Sequence, residues 1–167
     1  MARTDNARRG ARRQRTKGHA TGIAMDLARR RRPAVTIGDV NYLAHAWLAR
    51  HSDDAILGAI LGDFVFGQST LQDWPMAIRA EIVRHRRIDQ YTDAHPAVVA
   101  ARGLFDGAGL RRYAGIVLDV YFDHCLARGW SRWNDAPLGD FTARVYRVLH
   151  DHRDDLPPRL QAVAPRM

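Results

Sequence analysis

From Asn41 onward, apolar residues recur at three- and four-residue intervals, the spacing that one face of an α-helix requires. Asn41 predicts a cap for a short helix through Arg50, carrying Leu43, Ala44, Trp47 and Leu48 with His45 among them. Asp53 or Asp54 predicts the cap of a second helix, Ala55 to Phe66, which is apolar on most sides and so expected to be buried. Asp63 falls near its end, and Gly67 can stop it. Asp73 predicts the cap of a long third helix, with Pro75 in its first turn and an end near Thr92. His95-Pro96 breaks the chain, and a shorter helix follows from Pro96 to Phe105. Gly103, Gly107 and Gly109 mark a loop. The helix from Leu110 to Ala127 is again apolar on most sides, which predicts a place at the centre of the fold. A last helix, Leu138 to Asp151, precedes Pro157-Pro158. No segment alternates as a strand over more than a few residues, so the predicted class is all-α, a compact helical bundle.

The third helix carries an anomaly. With Ile78 at zero and a turn of about 100° per residue, Ile82 falls at roughly 40°, His85 at roughly −20° and Asp89 at roughly 20°. Arg79, Arg84, Arg86 and Arg87 point elsewhere. An imidazole and a carboxylate therefore share the face meant for burial, where polar groups without partners are costly. His45, Asp63, Asp119, Asp123 and His124 fall on or near apolar faces of other predicted helices. Asp119 and Asp123, four residues apart on one face, sit within Ile-Val-Leu-Asp-Val-Tyr-Phe-Asp-His. Carboxylates buried together raise one another's pKa unless cations lie among them. Two sources of positive charge are open: a salt-bridge network with Arg86 and Arg87, or a divalent metal. Mixed His and Asp ligands suit Mn²⁺, Fe²⁺ or Zn²⁺.

Charge changes the picture only at one end. Ten Arg and one Lys against Asp5, Asp26 and Asp39 place the whole net charge of +8 in residues 1–39, and the remainder is balanced. That segment has no periodic apolar face and is expected to be a disordered basic extension. A nucleic-acid-binding arm is the less favoured reading of it. The single cysteine, Cys125, excludes an internal disulfide and accords with a reducing, cytoplasmic setting. No apolar run reaches the ~20 residues of a membrane span. There is no glycine-rich phosphate loop and no Gly-x-Ser-x-Gly elbow. Gly58, Gly62 and Gly67 stand at helical intervals and predict close packing.

Five blocks are familiar together: Asn41-Tyr42-Leu43-Ala44-His45; Leu57 to Val65 with its Leu-Gly-Asp-Phe; His85-Arg86-Arg87-Ile88-Asp89; Thr92-Asp93-Ala94-His95-Pro96; and Leu118-Asp119-Val120-Tyr121-Phe122-Asp123-His124. In this order and spacing the sequence resembles the acyl carrier protein phosphodiesterase family across roughly residues 41–160. The resemblance implies a divergent branch of the helical HD-type metal-dependent phosphohydrolases. It implies hydrolysis of the phosphodiester that joins 4′-phosphopantetheine to a serine of holo-acyl carrier protein, with Mn²⁺ as cofactor and a link to fatty acid biosynthesis. Carried over by position, Asp63, His85, Asp89, Asp123 and His124 are the metal or catalytic candidates, with His45 and Asp119 as further metal ligands. Arg86 or Arg87, if turned inward, would contact the substrate phosphate.

Two departures qualify the resemblance. Val40 stands where family members begin with Met, which fits a GTG start read as Met, so the domain is expected to occupy 40–167. Family members continue with further helices past the Pro-Pro segment, so the domain is expected to be C-terminally incomplete. The competing readings are an HD-like hydrolase of nucleotides or other phosphoesters, and a non-catalytic binding protein, truncated or basic-armed.

Overall fold

The computed structural model describes residues 41–167, so the expectation of a disordered segment over 1–39 lies outside the described residues. Among the described residues there is no strand, and the all-α expectation holds. Among the described residues eight α-helices follow one another: α1 Tyr42–Leu48, α2 Asp53–Leu61, α3 Gln68–Gln72, α4 Met76–Ala94, α5 Pro96–Gly103, α6 Ala114–Arg128, α7 Leu138–Asp151 and α8 Pro158–Val163. Short 3₁₀ turns join several of them, including Arg111–Tyr113 before α6.

The centre is α2. Every residue from Ala55 to Leu61 is buried, because α1, α4 and α7 pack around this one helix. Ile56, Leu57, Ile60 and Leu61 meet Ile82 of α4, Val148 and Leu149 of α7, and Leu160 of α8 in one apolar cluster. Burial of such side chains contributes roughly 1.5–3 kcal/mol each. Arg144 fastens α7 to the start of α2, with Nη2 2.7 Å from Asp53 Oδ1 and Nη1 2.8 Å from the Arg50 carbonyl.

Two glycines set the approach of α4 to α2. A Cβ on Gly58 would lie 2.5 Å from the Ile78 carbonyl oxygen, and one on Gly62 would overlap the His85 ring. Gly67 serves a different purpose. Its φ of 83° is a turn before α3, a short helix the sequence reading lacks.

The caps differ from those predicted. Asn41 makes no side-chain bond to α1, and the carboxylate of Asp123, far along the chain, accepts from Leu43 N and Ala44 N instead. Ser52, not Asp53 or Asp54, caps α2 by accepting from Ala55 N. Pro75 rather than Asp73 precedes α4. His95 caps α5, its Nδ1 accepting from Ala97 N at 3.2 Å.

The largest correction concerns α6. Its pattern predicted a central helix, yet only Ala114 is buried, and Val117, Val120 and Tyr121 are exposed. One stripe of α6 packs on α1 and α5, and no described element covers the opposite stripe. A helix apolar all round needs neighbours on every side to be buried; among the described elements α2 has them and α6 does not.

Candidate active site

The anomaly on α4 resolves where α1, α2 and α4 converge. His45 and His85 are the two buried polar side chains of the described core, each 3% exposed. Their rings stack with centroids 3.8 Å apart. His85 reaches α2 because Gly62 leaves its place open. There its Nδ1 lies 2.7 Å from the Ala59 carbonyl oxygen, which can only accept, so Nδ1 carries a proton. Its Nε2 lies 3.1 Å from Asp63 Oδ1 and 3.1 Å from Asp89 Oδ2. The second oxygen of Asp89, Oδ1, is 2.9 Å from His45 Nε2. His45 Nδ1 is buried with no partner, and its Nε2, facing a carboxylate oxygen that accepts, carries the ring proton.

Electrostatics follow from this arrangement. Burial alone would push the His85 pKa down, but hydrogen bonds to Asp63 and Asp89 and their charges raise it to about 9. Burial pushes Asp89 up, and the hydrogen bonds from His45 and His85 outweigh it, holding the carboxyl well below the usual range. Asp119 is raised to about 6 by its own burial and by the charges of Asp89 and Asp93. Asp123 is raised by burial, against the Leu43 and Ala44 amides that stabilise its anion.

Of the sequence candidates, the structure brings His45, Asp63, His85 and Asp89 into direct contact and sets Asp119 within range of their charge. Asp123 touches the group only through the start of α1, as its cap. His124 is exposed, with no hydrogen bond or ion pair to the other candidates. The arginine network does not form here. Arg86 turns back to donate to the Val65 carbonyl, Arg87 is exposed, and the charge partners of Asp63 and Asp89 are imidazoles. Sequence reasoning missed the Ala59 carbonyl, which no side-chain pattern reveals. It saw Gly62 as packing without seeing that the packed group is His85, a candidate site residue.

His45, His85 and Asp89 each offer a ligand atom within 4.8 Å of the others, an arrangement that could hold a metal ion. Residues 40–167 match the family model described as acyl carrier protein phosphodiesterase. The chain belongs to the acyl carrier protein phosphodiesterase family. Relatives that carry the name acyl carrier protein phosphodiesterase include one from Yersinia enterocolitica, 41% identical over 123 residues, 73% of this chain and 63% of the relative. One from Yersinia pestis is 39% identical over 125 residues, 74% of this chain and 64% of its own. One from Serratia proteamaculans is 41% identical over 123 residues, 73% and 63% of the two chains. The chain thus spans just under two thirds of the length of these curated relatives. No solved structure matches it.

Proposed function

We propose that this member of the acyl carrier protein phosphodiesterase family is a metal-dependent phosphodiesterase of holo-acyl carrier protein. It would hydrolyse the bond between the carrier serine oxygen and the 4′-phosphopantetheine phosphate, water supplying the new oxygen on phosphorus and the proton on serine, to give apo-carrier and 4′-phosphopantetheine. The observation that carries the reading is the buried His45–His85–Asp89 group with Asp63 beside it, in a chain whose relatives bear that name. The donor set fits a divalent cation. It offers imidazole nitrogen and carboxylate oxygen, a mixture suited to Mn²⁺, Fe²⁺ or Zn²⁺, and Mn²⁺ is the ion the family resemblance favours. The His85 Nδ1–H held by Ala59 is the outer contact that orients a ligand imidazole and leaves Nε2 for the cation. His45, His85 and Asp89 would hold the ion, with Asp63 next to it.

A divalent cation there supplies positive charge that stabilises a phosphoryl group gaining negative charge. The chain's own groups do the rest. Ala59 and Gly62 fix the His85 ring; Asp63 and Asp89 hold charge at stated positions on either side of its Nε2. Asp119 can accept or release a proton near neutral pH at the edge of the group. Arg87, exposed on α4, is available to the carrier, whereas Arg86 is engaged with Val65. The phosphodiesterase domain is assigned to residues 40–167, in the cytoplasm, acting on the carrier of fatty acid biosynthesis. No helix among the described residues is long and apolar enough to cross a membrane.

Mass spectrometry of holo-carrier before and after incubation with the full chain and Mn²⁺ tests the reading. Loss of the phosphopantetheine mass, absent with His85→Ala, supports it. An unchanged carrier mass would overturn it and leave the HD-like hydrolase of other phosphoesters or the non-catalytic binding protein.

A further inference from the structure

Beside the His/Asp group, between α5 and α6, lies a cleft of about 800 Å³. It falls within the ~300–1,000 Å³ typical of sites for small organic ligands. Asp119 lines it and is also within range of the charges of Asp89 and Asp63, so one wall of the cleft borders the candidate centre. Its walls combine two chemistries. Val99 and Ile116 supply apolar surface, and Arg102, Arg111 and Arg112 supply guanidinium donors. These donors outnumber their acceptors. Arg102 meets one carboxylate oxygen, Asp93 Oδ1, 3.0 Å from Nη2, which leaves donors on its Nη groups over, while its buried Nε faces neither acceptor nor solvent. Arg111 meets Asp106 only at 3.5 Å, and Arg112 lies over the Tyr113 ring with no carboxylate. Gly115 gives the Arg102 guanidinium its room, since a Cβ there would stand 2.8 Å from Nη2.

A ligand suited to this cleft is a flexible chain rich in carbonyl acceptors, with apolar groups between them and a phosphate at the end nearer Asp89. We propose that the cleft is the subsite for the 4′-phosphopantetheine arm, whose two amide carbonyls accept from Arg102 and Arg112 while its dimethyl carbon packs on Val99 and Ile116. This assignment rests on the phosphodiesterase reading and adds where the arm that keeps the phosphate lies. The carrier's own surface would then bind elsewhere.

Gly103 gives the test. It lines the cleft, and a Cβ there would meet nothing within 4 Å, so Gly103→Trp adds bulk at the cleft without displacing the core. Three readouts are taken on the full chain with Mn²⁺: turnover of holo-carrier, turnover of bis(p-nitrophenyl) phosphate, and binding of apo-carrier. The expected result is a KM for holo-carrier raised about tenfold or more, small-diester turnover within about twofold of the parent, and unchanged apo-carrier binding. An unchanged KM overturns the assignment, and so does equal loss of apo-carrier binding, which would make the cleft a protein-docking surface. Should the variant misfold, free pantetheine decides. It should bind the parent chain by NMR titration and bind Arg112→Ala more weakly, and no binding to the parent overturns the assignment. Failure of the underlying reading shows separately, as no turnover of holo-carrier by the parent.

Discussion

His85 Nδ1 lies 2.7 Å from the carbonyl oxygen of Ala59, a bond from the long helix α4 into the backbone of the central helix α2. It decides which nitrogen faces the acids. Replacing His85 by Ala removes that orientation together with a proposed cation ligand and leaves Asp63 and Asp89 without their shared partner. The expected outcome is a fall in holo-carrier turnover of about a hundredfold or more, with Mn²⁺ affinity reduced on isothermal titration.

Gly62→Ala should be nearly as damaging. The added methyl overlaps the His85 ring, and the contact is between a backbone-bound atom and a ring held on its far side. Overpacking of this kind costs about 1–3 kcal/mol, to be read from urea denaturation. Activity should fall further than stability alone explains, because the ring is displaced from Asp89.

The His85 proton sets a pH dependence in protein stripped of metal by chelation. Its folded value of about 9 lies above the ordinary 6.5, so its stabilisation is fully present below pH 6.5 and is lost as pH rises through about 9. Asp119, raised from 3.8 to about 6, favours the fold in its protonated form, and that contribution is lost as pH rises from 3.8 through 6. Denaturation midpoints from pH 5 to 10 should therefore decline, and His85→Gln should flatten the part between 6.5 and 9. Added Mn²⁺ competes with the same proton, so its binding should tighten with rising pH over that window.

Asp123 and His124 separate by role. Asp123→Ala removes the acceptor for two α1 amides, and the expected loss is about 1–3 kcal/mol in denaturation, with Asp123→Asn less severe. His124→Ala, at an exposed position, should leave turnover within about twofold of the parent and the denaturation midpoint unchanged.

How much of this was legible depended on whether the information was local. The face of α4 that carries Ile78, Ile82 and His85 follows from periodicity, and α7 begins and ends at the predicted Leu138 and Asp151. Asp63 and Asp89 were legible as polar groups that needed partners. The identity of the partners was not, because imidazoles from two helices meet them where arginines were the rival expectation. The cap of α1 was illegible for a similar reason. Asn41 has the right chemistry at the right place, but Asp123, brought by the packing of α6 on α1, takes the amides first. Periodicity also could not distinguish α2 from α6, since both read as apolar all round and only the arrangement of neighbours separates them.

Gly58 and Gly62 act as a gauge for the distance between two helical backbones. Where a methyl on Gly62 would lie, the filler is the imidazole of a candidate site residue. The core and the proposed site thus share one set of contacts, and a loosening of α2 against α4 too small to unfold the protein would already swing His85 away from Asp63. Catalysis in this domain should therefore report helix spacing more sensitively than melting does, and suppressors of site mutations should map to the buried faces of these two helices.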